Sequence, residues 1–121
     1  MKKIVMEIIP HNEQRYDTVG DYWEDENGDW QFRISDMNDN VYELAVFVHE
    51  LLEKILCKHA GITDQEIDTF DMAYSGPEEE PGADLAAPYY EQHRKATILE
   101  RLWIELTGKD WDSYDHCVMD L

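Results

Sequence analysis

The feature that most constrains this chain is one long amphipathic segment. From about Val41 to His59 the apolar residues recur at helical spacing, and at about 100° per residue they cover roughly half of the helix circumference. Residues 36–40 offer an N-cap, and Gly61 provides a C-terminal stop. A helix with so wide an apolar face has to be covered by other elements, so it is predicted to form the centre of the fold.

Three short β-rich runs precede this helix. Residues 3–9 form the first run, and Pro10 ends it. Residues 18–35 are predicted to form a hairpin, because Asn27-Gly28 is a turn signal between two loosely alternating stretches. Together these runs predict a small three-stranded antiparallel sheet.

Two further helices are predicted after the central one. The first begins at Thr63 or Asp64, and the second opens with Pro88 and runs to about Thr107. Strands followed by helices indicate an α+β fold, with three helices packed on the sheet. The predicted single domain, 1–121, divides into the sheet (1–40), a three-helix part (41–107) with a loop at 75–87, and a C-terminal tail (108–121) that packs back.

The charge balance limits the partners of the protein. Ten basic residues stand against 28 acidic ones, which gives a formal net charge of −18 at pH 7. A chain so acidic repels nucleic-acid phosphates and anionic membranes, so we expect it to bind neither directly. No apolar run approaches the ~20 residues that a membrane span needs. Cys57 and Cys117 match neither a zinc-finger spacing nor a disulfide framework, which indicates reduced thiols and a cytoplasmic location.

The central helix carries a motif that suits a metal ion, His49-Glu50-Leu51-Leu52-Glu53. Residues four apart lie one above the other on a helix, so His49 and Glu53 can share a cation. Glu50 projects about 100° away from His49 and is free to activate a water molecule as general base. The motif therefore predicts two metal ligands and one catalytic glutamate on a single helix.

This segment resembles the active-site helix of zincin-type metallopeptidases, which also follows a small sheet. The resemblance implies a zincin-like fold and peptidase activity, with His49 as a zinc ligand, Glu50 as the general base and position 53 as the second ligand. Glu53 departs from the family, which has histidine at that position, and this departure bears on the peptidase activity in particular. The chain is also similar to small bacteriophage proteins, a similarity that implies no activity.

A third ligand is predicted on the last helix. His93 and Glu100 fall within about 20° of each other on a helical wheel, on the apolar side. Buried ionisable groups need partners, so we expect His93 to bind the metal, with Glu100 as co-ligand or as acceptor for the imidazole N–H. Asp71 is the other candidate for these roles. Histidine and carboxylate ligands favour Zn²⁺ over iron, manganese, nickel or magnesium. A hydrogen-bonded network without metal is the structural alternative.

A magnesium enzyme is one functional alternative. The spacing of Glu50 and Glu53, followed by Asp68 and Asp71, resembles the magnesium-binding carboxylates of all-α nucleoside-triphosphate pyrophosphohydrolases. Those enzymes lack an N-terminal hairpin of this kind. Magnesium also prefers oxygen ligands, which leaves the histidines without a role.

The acidic surface itself is the other alternative. Residues 17–40 contain eight carboxylates and one basic residue, Arg33, so the hairpin could imitate DNA and inhibit a nucleic-acid-binding protein without catalysis. Such an inhibitor would have a basic or DNA-binding protein as its partner. The inward-facing pair on the last helix favours the metal hydrolase instead, with a small molecule or a peptide as its substrate.

Overall fold

The structure, a computed structural model, describes residues 2–121. Three strands come first, and four helices follow. The elements are β1 (Ile4–Ile9), β2 (Gly20–Glu24), β3 (Trp30–Ser35), α1 (Asn40–Ala60), α2 (Asp64–Ala73), α3 (Tyr90–Leu106) and α4 (Trp111–Met119). Single turns of 3-10 helix lie at His11–Glu13 and Pro81–Ala83. The predicted α+β class is confirmed.

The sheet is mixed, so the prediction of an antiparallel sheet is wrong. β3 lies in the centre; β2 pairs with it antiparallel, as expected of a hairpin, whereas β1 pairs with it in parallel. Ile9 pairs with Ser35 and Gly20 with Ile34, so β1 ends and β2 begins at the same end of β3. Residues 10–19 therefore cross the end of β3, and this crossing makes β1 and β3 run in the same direction.

Local capping sets the ends of the helices. The carboxylate of Asp39 accepts hydrogen bonds from the backbone N–H groups of Val41 and Tyr42 at the start of α1, and Gly61 ends this helix with a φ of 75°. Thr63 caps α2 through its hydroxyl group. The observed α1 thus matches the predicted helix to within one residue at each end.

The C-terminal tail contains a fourth helix, so the prediction of three helices is wrong. Asp110 begins α4 by accepting a hydrogen bond from the Ser113 N–H at 3.0 Å. Tyr114 of this helix is fully buried and packs in one cluster with Ile34 and Ile104. The tail therefore packs back on the rest of the molecule as expected, but as a helix.

α1 lies between the sheet and α3, which is the central position predicted for it. It packs against β2 and β3 on one side and along α3 on the other. The ring of Phe32 on β3 meets the ring of Phe47 on α1 edge-on, with 5.3 Å between their centroids. Cys57, buried on α1, and Cys117, on α4, are free thiols. Among residues 2–121 no helix combines the length and the apolar character needed to cross a bilayer.

Candidate metal centre

Three side chains from α1 and α3 meet at one point inside the protein. Nε2 of His49 lies 3.0 Å from Oε2 of Glu53, one turn further along α1. Nδ1 of His93 on α3 lies 3.0 Å from the same carboxylate oxygen. One candidate ligand atom from each of the three residues lies within 4.8 Å of the others. The structure thus brings together the three predicted ligands, and this cluster could hold a metal ion.

A carboxylate holds the far side of each imidazole. Glu100 Oε1 lies 2.7 Å from Nδ1 of His49, and Glu80 Oε2 lies 3.0 Å from Nε2 of His93. Glu100 was expected to pair with His93 on its own helix; it bonds to His49 instead, because α3 packs along α1. In metal sites such outer carboxylates fix the tautomer and orientation of the ligating histidine.

Two buried tyrosines complete the network. The Tyr22 hydroxyl donates to Oε1 of Glu53 at 2.8 Å, and the Tyr114 hydroxyl donates to Oε2 of Glu100 at 2.5 Å. Burial, together with the negative charge of these carboxylates, raises the pKa of both tyrosines well above the usual value. Both hydroxyls therefore stay protonated and keep donating to the carboxylates.

The network sets the charge of its members. Burial opposes the ionisation of Glu53, but hydrogen bonds from His49 and His93 prevail and lower the pKa of its carboxyl to about 2. Burial also opposes a charge on His93, yet its bonds to Glu53 and Glu80 raise its pKa to about 9. The pKa of His49 is likewise raised, against the effect of burial, by its bonds to Glu100 and Glu53. The centre is thus a row of alternating carboxylates and imidazolium groups.

Glu50 lies beside this network but outside its ion pairs. Its side chain packs over Gly20 of β2, where a Cβ atom would come within 2.7 Å of its Cγ. Burial is the main cause, and the negative charge of Glu53 the second, of a pKa of Glu50 well above its usual value. Glu50 and the three candidate ligands line one cavity of about 720 Å³. Its carboxyl group is thus available to a molecule bound in that cavity.

Asp71 lines the same cavity but has other partners. The hydroxyl of Tyr89 donates to its Oδ1 at 2.5 Å, and that of Tyr16 donates to its Oδ2 at 3.1 Å. Burial raises the pKa of Asp71 to about 6, although both hydrogen bonds act in the opposite direction. Because both of its oxygens are engaged by tyrosines, Asp71 does not join the candidate ligand group.

Several contributors to the site were not predicted, among them Glu80, Tyr22 and Gly82. A Cβ at Gly82 would come within 2.6 Å of Nδ1 of His93, so this glycine gives the imidazole its room. Glu80 belongs to a run of three glutamates in the loop, which in a sequence is typical of a solvated segment. Tyr22 lies beside Trp23 in a predicted strand, and a large aromatic residue in a strand indicates only a core position. In each case the residue acquires its role through contacts distant in sequence.

The chain was also compared with known proteins. No protein-family model, curated protein or solved structure matches it. The zincin-like fold implied by the motif therefore stays a prediction, and the chemistry of the site is the basis for a function.

Proposed function

We propose that this protein binds one Zn²⁺ ion through His49, Glu53 and His93 and uses the water on that ion for hydrolysis. The observation that carries the proposal is the convergence of Nε2 of His49 and Nδ1 of His93 on one oxygen of Glu53, each at 3.0 Å. Two imidazoles and one carboxylate, with water in the fourth position, are a known ligand set of catalytic zinc. Zinc also suits this mixture of nitrogen and oxygen better than magnesium does.

The contacts around the ligands support the same proposal. An ion would take the place of the protons that the three side chains share, and Glu100 and Glu80 would still orient the two imidazoles. Tyr22 would still donate to Oε1 of Glu53, which would leave Oε2 as the oxygen available to the ion. The ligands are thus arranged before any ion arrives, which lowers the cost of ordering them on binding.

We assign the role of general base to Glu50. Zinc, when bound, lowers the pKa of its water to ~7. Glu50 lines the cavity beside the ligands without an ion-pair partner, so it is placed to accept the proton of that water. A nearby divalent cation also favours the ionised form of a carboxyl group, which offsets the effect of burial on Glu50.

The cavity limits the class of substrate. Its volume of about 720 Å³ suits a small molecule or a short stretch of peptide. Its walls carry many carboxylates, including Glu78, Glu79 and Asp115, which disfavour a polyanionic substrate. A magnesium pyrophosphohydrolase is less well supported, first because the ligand set contains nitrogen. The second reason is that Asp71 is bonded to two tyrosines and does not converge with Glu50 and Glu53.

The DNA-mimic alternative is also less well supported by the contacts of the hairpin. Asp21 is buried in an ion pair with Arg15, at 2.7 Å. The carboxylate of Asp25 accepts hydrogen bonds from backbone N–H groups of the turn. Asp29 accepts from the backbone N–H groups of Lys2 and Lys3. These three of the eight acidic side chains stabilise the hairpin and its neighbours rather than presenting an open charged face.

Metal analysis of untagged protein tests the proposal. After dialysis against a chelator and reloading with zinc, we expect one zinc per chain in the wild type and in Glu50→Gln. We expect none in His93→Ala, whereas His59→Ala, which removes an exposed histidine at the end of α1, should keep the ion. Hydrolysis of a panel of chromogenic ester and peptide substrates should be lost in Glu50→Gln. Failure of the wild type to take up zinc, or equal uptake by His93→Ala, contradicts the site.

A further inference from the structure

The outer side of α3 exposes a row of apolar side chains. Ile98 is 58% exposed, Leu102 50% and Leu106 76%. Their spacing of four residues places them along one side of the helix, opposite the buried Ala96 and Ile104. A contiguous apolar row on a surface as acidic as this one is typical of an interaction site.

Two charged residues flank this row. Lys95 and Glu105 are both exposed and lie on the same side of α3 as Ile98 and Leu102. Within the described part of the chain neither of them forms an ion pair, whereas the neighbouring Arg94 is paired with a glutamate of its own helix. The spacing of Lys95, Ile98, Leu102 and Glu105 is three, four and three residues, which is the seam of a helix that packs against another helix.

This seam is complementary to itself when it is reversed. If two copies of α3 pack antiparallel about their midpoints, Ile98 of one copy faces Leu102 of the other, and Lys95 faces Glu105. A two-fold axis repeats each contact, so the interface contains two apolar pairs and two ion pairs. Parallel packing would instead place Lys95 against Lys95 and Glu105 against Glu105, and like charges in contact are unfavourable.

We propose that two copies of this chain form a homodimer through antiparallel packing of α3. The surface defined by Lys95, Ile98, Leu102 and Glu105 is its interface. A helix of 17 residues is about 25 Å long, and one such helix pair buries less than the ~1,200 Å² of a standard interface. The net charge of −18 on each chain adds long-range repulsion, which salt screens. We therefore expect a weak dimer that forms at high protein concentration.

Sedimentation equilibrium of the full chain, from about 10 μM to about 1 mM in ~0.3 M NaCl, tests the dimer. We expect a reversible monomer–dimer equilibrium in the wild type, and monomer alone in Leu102→Glu. Leu85→Glu is the matched control, because Leu85 is apolar and 81% exposed but lies before α3; it should dimerise like the wild type. A wild type that is monomeric throughout, or a Leu102→Glu variant that still dimerises, overturns the proposal.

A charge swap tests the antiparallel arrangement. Lys95→Glu should weaken the dimer by about tenfold, because each new glutamate faces Glu105 of the other copy. The double variant Lys95→Glu/Glu105→Lys should have a dimer dissociation constant close to that of the wild type, since opposite charges again face each other. Circular dichroism should be unchanged in all of these exposed-site variants. A double variant that stays as weak as the single one overturns this arrangement.

Discussion

Gly20 on β2 lies so close to Glu50 on α1 that a Cβ atom at position 20 would come within 2.7 Å of Cγ and 2.8 Å of Oε1 of the glutamate. The same atom would also come within 2.8 Å of Cγ1 of Val46. Non-bonded carbon atoms do not approach so closely without displacement. The position of the proposed general base therefore depends on a strand residue without a side chain.

Replacing Gly20 with alanine should displace Glu50 while leaving the ligands in place. We expect hydrolysis to fall by about 10²-fold, because small misplacement of a catalytic group is costly, while zinc content stays at one per chain. The added methyl group should also lower the free energy of unfolding by about 1–3 kcal/mol. Zinc analysis, turnover and urea denaturation of one preparation check this. Unchanged turnover would show that Glu50 is not the base or does not need this position.

Replacing Gly82 with alanine should act on the metal instead. A Cβ at that position would lie 2.6 Å from Nδ1 of His93 and 2.7 Å from Cε2 of Tyr89, so the imidazole has to move. We expect zinc affinity to fall by about 10- to 100-fold. Competition with a chelating dye measures this, with Gly20→Ala as the matched control of unchanged affinity. Equal affinities in both variants would place the ion elsewhere.

Zinc binding should release protons. The hydrogen bonds of His93 raise its pKa to about 9, and the pKa of His49 is raised as well, so both imidazoles are protonated at pH 7 before the ion binds. The imidazoles must lose these protons before they can bind the ion. The affinity for zinc should therefore increase with pH and become constant above about 9. Titration calorimetry in buffers of different ionisation enthalpy counts the protons. Glu80→Gln, which removes one carboxylate from His93, should release fewer; zero release from the wild type contradicts the site.

The buried carboxyl group of Asp71 should make stability depend on pH. Burial raises its pKa from 3.8 to about 6, so the folded state binds the proton more tightly than the unfolded state. Its protonated form stabilises the fold at pH values below the unfolded pKa, and this contribution is lost as pH rises through about 6. As pH rises across this range, the free energy of unfolding of the wild type should fall, relative to that of Asp71→Asn, by of the order of 1 kcal/mol, after allowance for solvent screening. Urea midpoints of both proteins against pH check this; a difference independent of pH contradicts it.

Local patterns predicted the helices better than the sheet. The apolar periodicity and the flanking caps located α1, because both signals lie within its own segment. The direction of β1 depends on the path of residues 10–19, which the Gln14 amide holds by donating to the carbonyls of Val19 and Arg33, at 3.3 and 3.1 Å. No local pattern contains such contacts. The short α4 also has a local signal, the Asp110 cap, although the tail was predicted without a helix.

Helical spacing was also enough to predict part of the site. His49 and Glu53 lie one turn apart, and the position of His93 on an apolar face required a partner for it. Which carboxylate each histidine meets depends on how α1 and α3 pack, so Glu100 was assigned to the wrong imidazole. Glu80 lies in a loop, where no periodicity indicates which side chain points inward.

The hydrogen bond from Tyr114 connects α4 to the candidate metal centre. Tyr114 on α4 holds Glu100, and Glu100 holds the imidazole of His49. A chain that stops before α4 would keep all three candidate ligands. It would lose the hydrogen bond that holds Glu100 and the side chains of α4 that line the cavity. We therefore expect zinc to bind less firmly to a chain that lacks α4.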